Sequence, residues 1–267
     1  MIILIPMGGL GSRFTDAGYT TQKSQLPVMD RHSKTEKPMI ICAMKDIPGI
    51  YDEGNTVICV NRPIHAKDGT QAAITAEFPK TIFIHDHVLL DQAFACFLAR
   101  EYLSKDEELF VACCDNGMIF DHDNFIKQKH GVDCVVLSHC GDLNIEKNPN
   151  AHSWLELENN SKLVKNVSIK KILSDQFMHD HATTGSFWFS SASKFLEALE
   201  ILLSSSQSIS TKRWIDEVLD VLISQKNKVT YFDVDYLCWG TPEDYETYQA
   251  SFRYWKGYLD ANRWLKK

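Results

Sequence analysis

The feature that most restricts the fold is a recurrence of short, unbroken apolar runs rich in Val and Ile: "IILI" (2–5), "TVICV" (56–60), "TIFI" (81–84), "LFVACC" (109–114) and "VDCVVL" (132–137). Runs this short and this continuous suit strands buried on both faces. Helix-like stretches separate them at 38–45, 66–77, 90–102 and 122–129. Strands alternating with helices predict a largely parallel, doubly wound sheet, which binds ligands at the carboxyl ends of its strands.

The pattern changes after residue 150. "SWLELE" (153–158), "KLVKNVSI" (162–169) and "TGSFWFS" (184–190) alternate apolar with polar residues, as strands half-exposed on one face do. Helices resume at 191–203 and 214–225, and a strand "VTYFDV" (229–234) follows. A last helix is expected from Pro242, with Thr241 as its N-cap and Glu243 and Asp244 in the first turn. The serine cluster 204–210 divides two helices without a shift in composition, so it reads as a loop and not a linker. With 267 residues, 44% of them hydrophobic, one large core can be filled. The expected fold is α/β: a single Rossmann-like domain over 1–267, with a mostly parallel mixed central sheet flanked by helices.

Charge narrows the partners. The net charge is −7, from 28 basic and 35 acidic residues, and no long basic run stands out, so nucleic acid is not an expected partner. An anionic ligand must instead be met by a few well-placed cations. The eight cysteines lie mostly in apolar runs with no C-x-x-C pair, and read as core thiols of a reducing cytoplasm. "MIILIPM" lacks a basic n-region and no apolar run has membrane-spanning length, so the expected location is cytoplasmic, without a membrane partner.

Directly after the first strand stands "GGLGSRF", which puts Gly8, Gly9 and Gly11 at a strand's carboxyl end with Ser12 opening the next helix. Glycines there let backbone N–H groups approach phosphate oxygens. The dinucleotide fingerprint G-x-G-x-x-G fails, because Phe14 holds the third glycine position, and no Walker A loop is present. The glycines alone would equally serve a tight strand-to-helix turn. Arg13 and Lys23 add two cations suited to a charge-dispersed phosphoryl transition state.

Together these residues resemble a family. "GGLGSRF", Lys23 in "QKSQLPV" and Lys37 in "KPMI" are similar to the G-x-G-x-R…P-K-x-L-x-P-V…K-P-M opening of the sugar-phosphate nucleotidyltransferases, also called nucleoside-diphosphate-sugar pyrophosphorylases. "LDQAFACFLA" (90–99), "VACCDNGMIFDHDNF" (111–125), "KNVSIKKILSDQFMHDHATTGSFWF" (165–189) and "WGTPEDYETY" (239–248) resemble the later motifs in the same order.

The resemblance implies a nucleotide-binding half at 1–130 and an acceptor-binding half at 131–267. It implies transfer from a nucleoside triphosphate to a small phosphorylated acceptor with release of pyrophosphate. The variant opening is most like members that activate metabolites for surface-polysaccharide (capsule) biosynthesis, some with CTP. By this reading Gly8, Gly9, Gly11, Ser12, Gln92 and Asn116 bind nucleotide, Arg13, Lys23 and Asp115 are catalytic, and Lys171, Thr184 and Gly185 bind the acceptor.

Asp115 ends the run "LFVACC", and a carboxylate there suits Mg2+. The family's second metal-binding Asp falls on Cys238, so Asp235, or Asp233, is the substitute candidate. Lys170 stands where the family usually has a sugar-contacting Glu, which argues for an acceptor other than a common hexose phosphate. Leu89 stands where nucleobase recognition commonly uses Gly. "HDH" (85–87) has no third ligand at metal spacing.

Two rivals stay open: a nucleotide-sugar-dependent glycosyltransferase, which would leave Arg13 and Lys23 without a role, and a catalytically silent nucleotide-binding regulatory subunit, which Cys238 makes conceivable. The aromatics in "FRYWKGYLDANRW" (252–264) suit packing on the domain or against a second copy, so a homo-oligomer stays open too.

Overall fold

The computed structural model describes residues 1–88, 91–103, 106–159, 161–205 and 212–261. Leu89 and Leu90, most of the serine loop and the basic end at 263–267 lie outside the described residues. The strands are β1 (Ile2–Met7), β2 (Pro27–Met29), β3 (Glu36–Pro38), β4 (Thr56–Asn61), β5 (Ile82–His85), β6 (Leu109–Val111), β7 (Asn116–Ile119), β8 (Cys134–His139), β9 (Trp154–Leu157), β10 (Val164–Ser168), β11 (His181–Phe189), β12 (Val229–Asp233) and β13 (Asp235–Cys238). The helices are α1 (Ser12–Asp16), α2 (Met39–Lys45), α3 (Thr70–Glu77), α4 (Gln92–Phe97), α5 (Arg100–Leu103), α6 (His122–Gln128), α7 (Leu143–Lys147), α8 (Ala192–Ser204), α9 (Glu217–Ser224) and α10 (Pro242–Ala261).

Nine strands form one sheet in the order β10-β9-β11-β6-β1-β4-β5, with β8 joining through β11 and β12 through β8. Strand β1 runs parallel to both β4 and β6, and β4 runs parallel to β5. Around β11 the pairing is antiparallel, to β6, β8 and β9. The sheet is therefore mixed, as expected, with an antiparallel share larger than the strand-helix alternation alone suggests. That share comes from the second half, but β11, read as half-exposed, is instead buried along nearly its whole length because β6, β8 and β9 all pair with it.

Alternation along β1 explains how the layers assemble. Ile2 and Leu4 pack with Ala93 and Cys96 of α4 and Leu199 of α8. Ile3 and Ile5 pack on the opposite side with Ile40 and Met44 of α2 and Ile74 of α3. Successive strand residues point to opposite faces, so an unbroken apolar run is what a sheet covered on both sides requires. Each such side chain contributes about 1.5–3 kcal/mol on burial.

Four short strands have no signal in the sequence. The β7–β13 ladder is the important one, because it pairs Asn116 with Cys238 and Ile119 with Asp235. The last helix begins as expected: the Asp244 amide donates to Thr241 Oγ1 at 3.2 Å, and the Thr241 hydroxyl donates back to Asp244 Oδ2 at 2.6 Å. The stretch 90–102 divides into α4 and α5, and α4 is capped by Asp91, whose carboxylate accepts from the Phe94 amide.

Candidate active site

The glycine loop leaves β1 at Met7 and turns into α1. Gly11 caps that helix at φ +64°, a left-handed conformation that glycine adopts without steric cost. A β-carbon on Gly8 would sit 3.0 Å from Asp86 Oδ2, so the loop runs close against the end of β5.

After α1, a short 3-10 turn (Lys23–Gln25) brings the second cation back to the strand ends. It is pinned by a hydrogen bond between the Ser24 and Thr70 hydroxyls at 3.0 Å. Lys23 Nζ then reaches Asp115 Oδ2 at 2.6 Å and the Gly240 carbonyl at 2.8 Å. Three segments far apart in the chain meet at that ammonium group.

Electrostatics fix the charge states of this pair. Burial works against the Lys23 charge, but Asp115 outweighs it and holds the ammonium above its ordinary value. Burial likewise opposes ionisation of Asp115, and Lys23 followed by Arg13 overcomes it, holding the carboxyl below 3.8. Cys238 lies close by: a β-carbon on Gly240 would be 3.6 Å from its sulfur and 3.7 Å from Asp115 Oδ2. Burial pushes the Cys238 thiol up to about 12, so it is protonated at neutral pH.

A cleft of about 400 Å³ opens over the pair. One wall is the loop from Gly8 to Ser12 with Lys23, and the other includes Gln92, Cys113, Gly185 and the segment 212–215. At one end stands His65, which is 4% exposed, carries an unpartnered Nδ1 and is kept neutral by burial. Arg13 is exposed on α1 and makes no ion pair among the described residues.

The structure brings together Gly8, Gly9, Gly11, Ser12, Lys23, Gln92, Asp115 and Gly185. Gly185 has φ +77°, and a β-carbon there would lie 2.5 Å from Cys113 Sγ, so only glycine fits at this point of β11, against the residues that follow β6.

Five candidates do not line the cleft, the exposed Arg13 among them. Asn116 is buried and its amide donates to the Thr184 carbonyl at 3.0 Å, tying β7 to β11. The Thr184 hydroxyl is spent on the Leu137 carbonyl at 3.0 Å. Asp235 stands three ladder positions from Cys238, which at the strand rise is about 10 Å along β13 and away from Asp115. Lys171 is exposed, and its carbonyl accepts from the Ser168 hydroxyl.

The lysine that turns inward is Lys170. Its Nζ lies 4.8 Å over the Trp214 ring and donates to the Ala151 carbonyl. Sequence reasoning missed Lys170 as the inward residue, because Ser168 ends β10 and the chain leaves the strand before it. It also missed the segment 212–215 and His65, which carry no motif. Cys113 and Cys114 line the cleft and Cys140 is exposed, so the core reading holds for Cys42, Cys59, Cys96 and Cys134 but not for these three.

Among the described residues no group of three His, Cys, Asp or Glu side chains is arranged to hold a metal ion, the "HDH" pair included. Asp115 offers one hard carboxylate at the cleft, and Cys238 offers a protonated thiol. That donor set fits Mg2+ as a site with one carboxylate completed by substrate phosphates and water, a mode Mg2+ often adopts. No helix among the described residues is long and apolar enough to cross a membrane.

The mixed sheet that carries the glycine loop and the Lys23–Asp115 pair is an α/β fold shared with solved nucleotidyltransferase structures. It is similar to the nucleoside-diphosphate-sugar pyrophosphorylase from Vibrio cholerae, with a TM-score of 0.71 and 20% identity over 92% of this chain and 98% of that one. It is similar to a UDP-glucose pyrophosphorylase complexed with UDP-glucose, at TM-score 0.67 and 18% identity, covering 94% and 98% of the two chains. It is also similar to the inositol-1-phosphate CTP transferase from T. maritima, at TM-score 0.65 and 16% identity, covering 93% of each. No protein-family model and no curated protein sequence matches the chain.

Proposed function

We propose that the chain is a sugar-phosphate nucleotidyltransferase. An oxygen of the acceptor's phosphate forms a bond to the α-phosphorus of a nucleoside triphosphate, the bond from the α-phosphorus to the bridging oxygen breaks, and pyrophosphate leaves with the electron pair. The observation that carries this reading is Lys23 held 2.6 Å from Asp115 at the mouth of a glycine loop, on a fold shared with pyrophosphorylase structures.

Each part has a physical role. Backbone N–H groups from Gly8 to Gly11 cradle the triphosphate. Arg13 and Lys23 offset charge on the α-phosphoryl group and the leaving pyrophosphate, and Lys23 is protonated throughout the neutral range. Mg2+, when bound, is held by Asp115 and offsets phosphate charge there. Gln92 and His65 line the nucleotide half, residues 1–130, and Gly185 and Trp214 line the acceptor half, residues 131–267. A bound acceptor phosphate is thereby oriented for in-line attack.

A pyrimidine triphosphate, CTP among them, and an activated building block for a surface polysaccharide are the finer forms of this proposal. The experiment is pyrophosphate release with Mg2+ for each of five triphosphates against a panel of phosphorylated acceptors. Release that depends on one triphosphate and one acceptor, and is lost in Lys23→Ala and Asp115→Ala, supports the transferase. Cys238, where a second carboxylate is absent, favours one other reading, a silent nucleotide-binding regulator. Tight triphosphate binding without release in any combination would select it.

A further inference from the structure

Lys170 is a desolvated cation with no carboxylate at ion-pair distance among the described residues. Asp216, the acid that most favours its charge, is engaged elsewhere: Thr183 Oγ1 donates to Asp216 Oδ1 at 2.6 Å. Other charged and titratable groups that act on Lys170 are Cys113, Arg13, Asp115 and His152, and Asp115 is already paired with Lys23. Burial prevails over these and lowers the proton affinity of Lys170. An ammonium group has three donors, and here the Ala151 carbonyl takes one.

The backbone is also strained to place it there. Lys170 has φ +56°, a left-handed conformation that costs a residue with a β-carbon about 1–2 kcal/mol. That turn sends Lys170 inward to the Trp214 ring while Lys171 faces solvent. Strain of this kind and a half-buried charge without an ion-pair partner both oppose folding, and both gather at ligand sites. The missing partner is an anion, and Trp214, which Lys170 covers, lines the cleft.

The phosphate that reacts must stand beside the α-phosphorus, over the glycine loop and near Lys23. Lys170 stands instead over Trp214, a residue of the opposite wall. Resting on the transferase reading above, we infer that Lys170 receives a second anionic group of the acceptor, a carboxylate or a further phosphate. The acceptor is then a phosphorylated acid or a bisphosphate, and not a neutral sugar monophosphate.

The test is calorimetric binding of matched pairs that differ by one anionic group: glucose 1-phosphate with glucuronic acid 1-phosphate, glycerol 3-phosphate with 3-phosphoglycerate, and fructose 1-phosphate with fructose 1,6-bisphosphate. In at least one pair the more anionic member should bind at least about tenfold tighter, as a charge-assisted bond to a desolvated ammonium implies. Which pair responds distinguishes carboxylate from phosphate. Lys170→Asn, whose side chain tolerates a left-handed backbone, should abolish the difference, and Lys170→Arg should restore it.

Equal binding within every pair by the unaltered protein overturns the inference. So does a Lys170→Asn variant that weakens both members alike, since that assigns Lys170 to the reacting phosphate. Pyrophosphate release is measured on the same samples. A charge-dependent difference in binding without release for any triphosphate sinks the transferase reading and leaves the second-anion site standing.

Discussion

Lys23→Met keeps the aliphatic stem and removes the ammonium, leaving the Asp115 carboxylate without its partner. The two side chains are 20% and 31% exposed, between the surface and the interior. Removing one member of a fully buried pair costs about 3–5 kcal/mol and of an exposed pair about 0–1, so roughly 2 kcal/mol is expected here. For a protein of this size that lowers Tm by roughly 4–8 °C. Lys23→Met with Asp115→Asn removes the stranded charge as well, and the double variant should exceed the additive value by about 1–2 kcal/mol. Urea unfolding of the four proteins without ligand measures the cycle. In the same variants, loss of a cation facing the transition state should lower kcat by about 10²–10³-fold. An unchanged midpoint for Lys23→Met, or strict additivity in the double variant, would refute the argument that this pair holds the site together.

Gly185→Ala combines φ +77° with a β-carbon 2.5 Å from Cys113 Sγ, so it should destabilise by more than the roughly 1–2 kcal/mol of backbone strain alone, with Cys113→Ala recovering only the steric part in chemical unfolding. Because the folded Asp115 carboxyl titrates below its ordinary 3.8, its contribution is fully present above that value and is lost as pH falls through the lower one; Asp115→Asn should therefore flatten the acid limb of stability below pH 3.8. Cys238→Asp adds a carboxylate near Asp115, where the cysteine sulfur now lies 3.4 Å from Asp244 Oδ2. Its Tm should drop without divalent cations and rise with Mg2+ more than that of the unaltered protein, as thermal unfolding across a Mg2+ series can test.

Much of the sheet was legible because its strands are buried on both faces and show it as unbroken apolar runs such as Ile2–Ile5. The position of the loop glycines was legible because a tight turn straight after a strand needs glycine, and Lys23 stood out through the family resemblance. What escaped was orientation. Lys170 and Lys171 are chemically alike, and only the left-handed turn at Lys170 decides which of them turns inward to Trp214. Asp235 was plausible by residue type, but the β7–β13 register sets it opposite Ile119, and a two-stranded ladder this short has no periodic signal to read. Trp214 and His65 sit on connections whose positions depend on distant packing.

The convergence of Lys23, Asp115 and Gly240 also bears on how the chain acquires its site. The contacts span separations of 92 and 217 residues, and closing loops that long carries an entropic cost before any contact forms in return. Local elements such as α8 form early, whereas this junction waits for the closing segment at 239–244 to return to the first strand's edge. Folding intermediates should therefore possess most of the large sheet and no nucleotide site, and a triphosphate added during refolding should act on the final step alone.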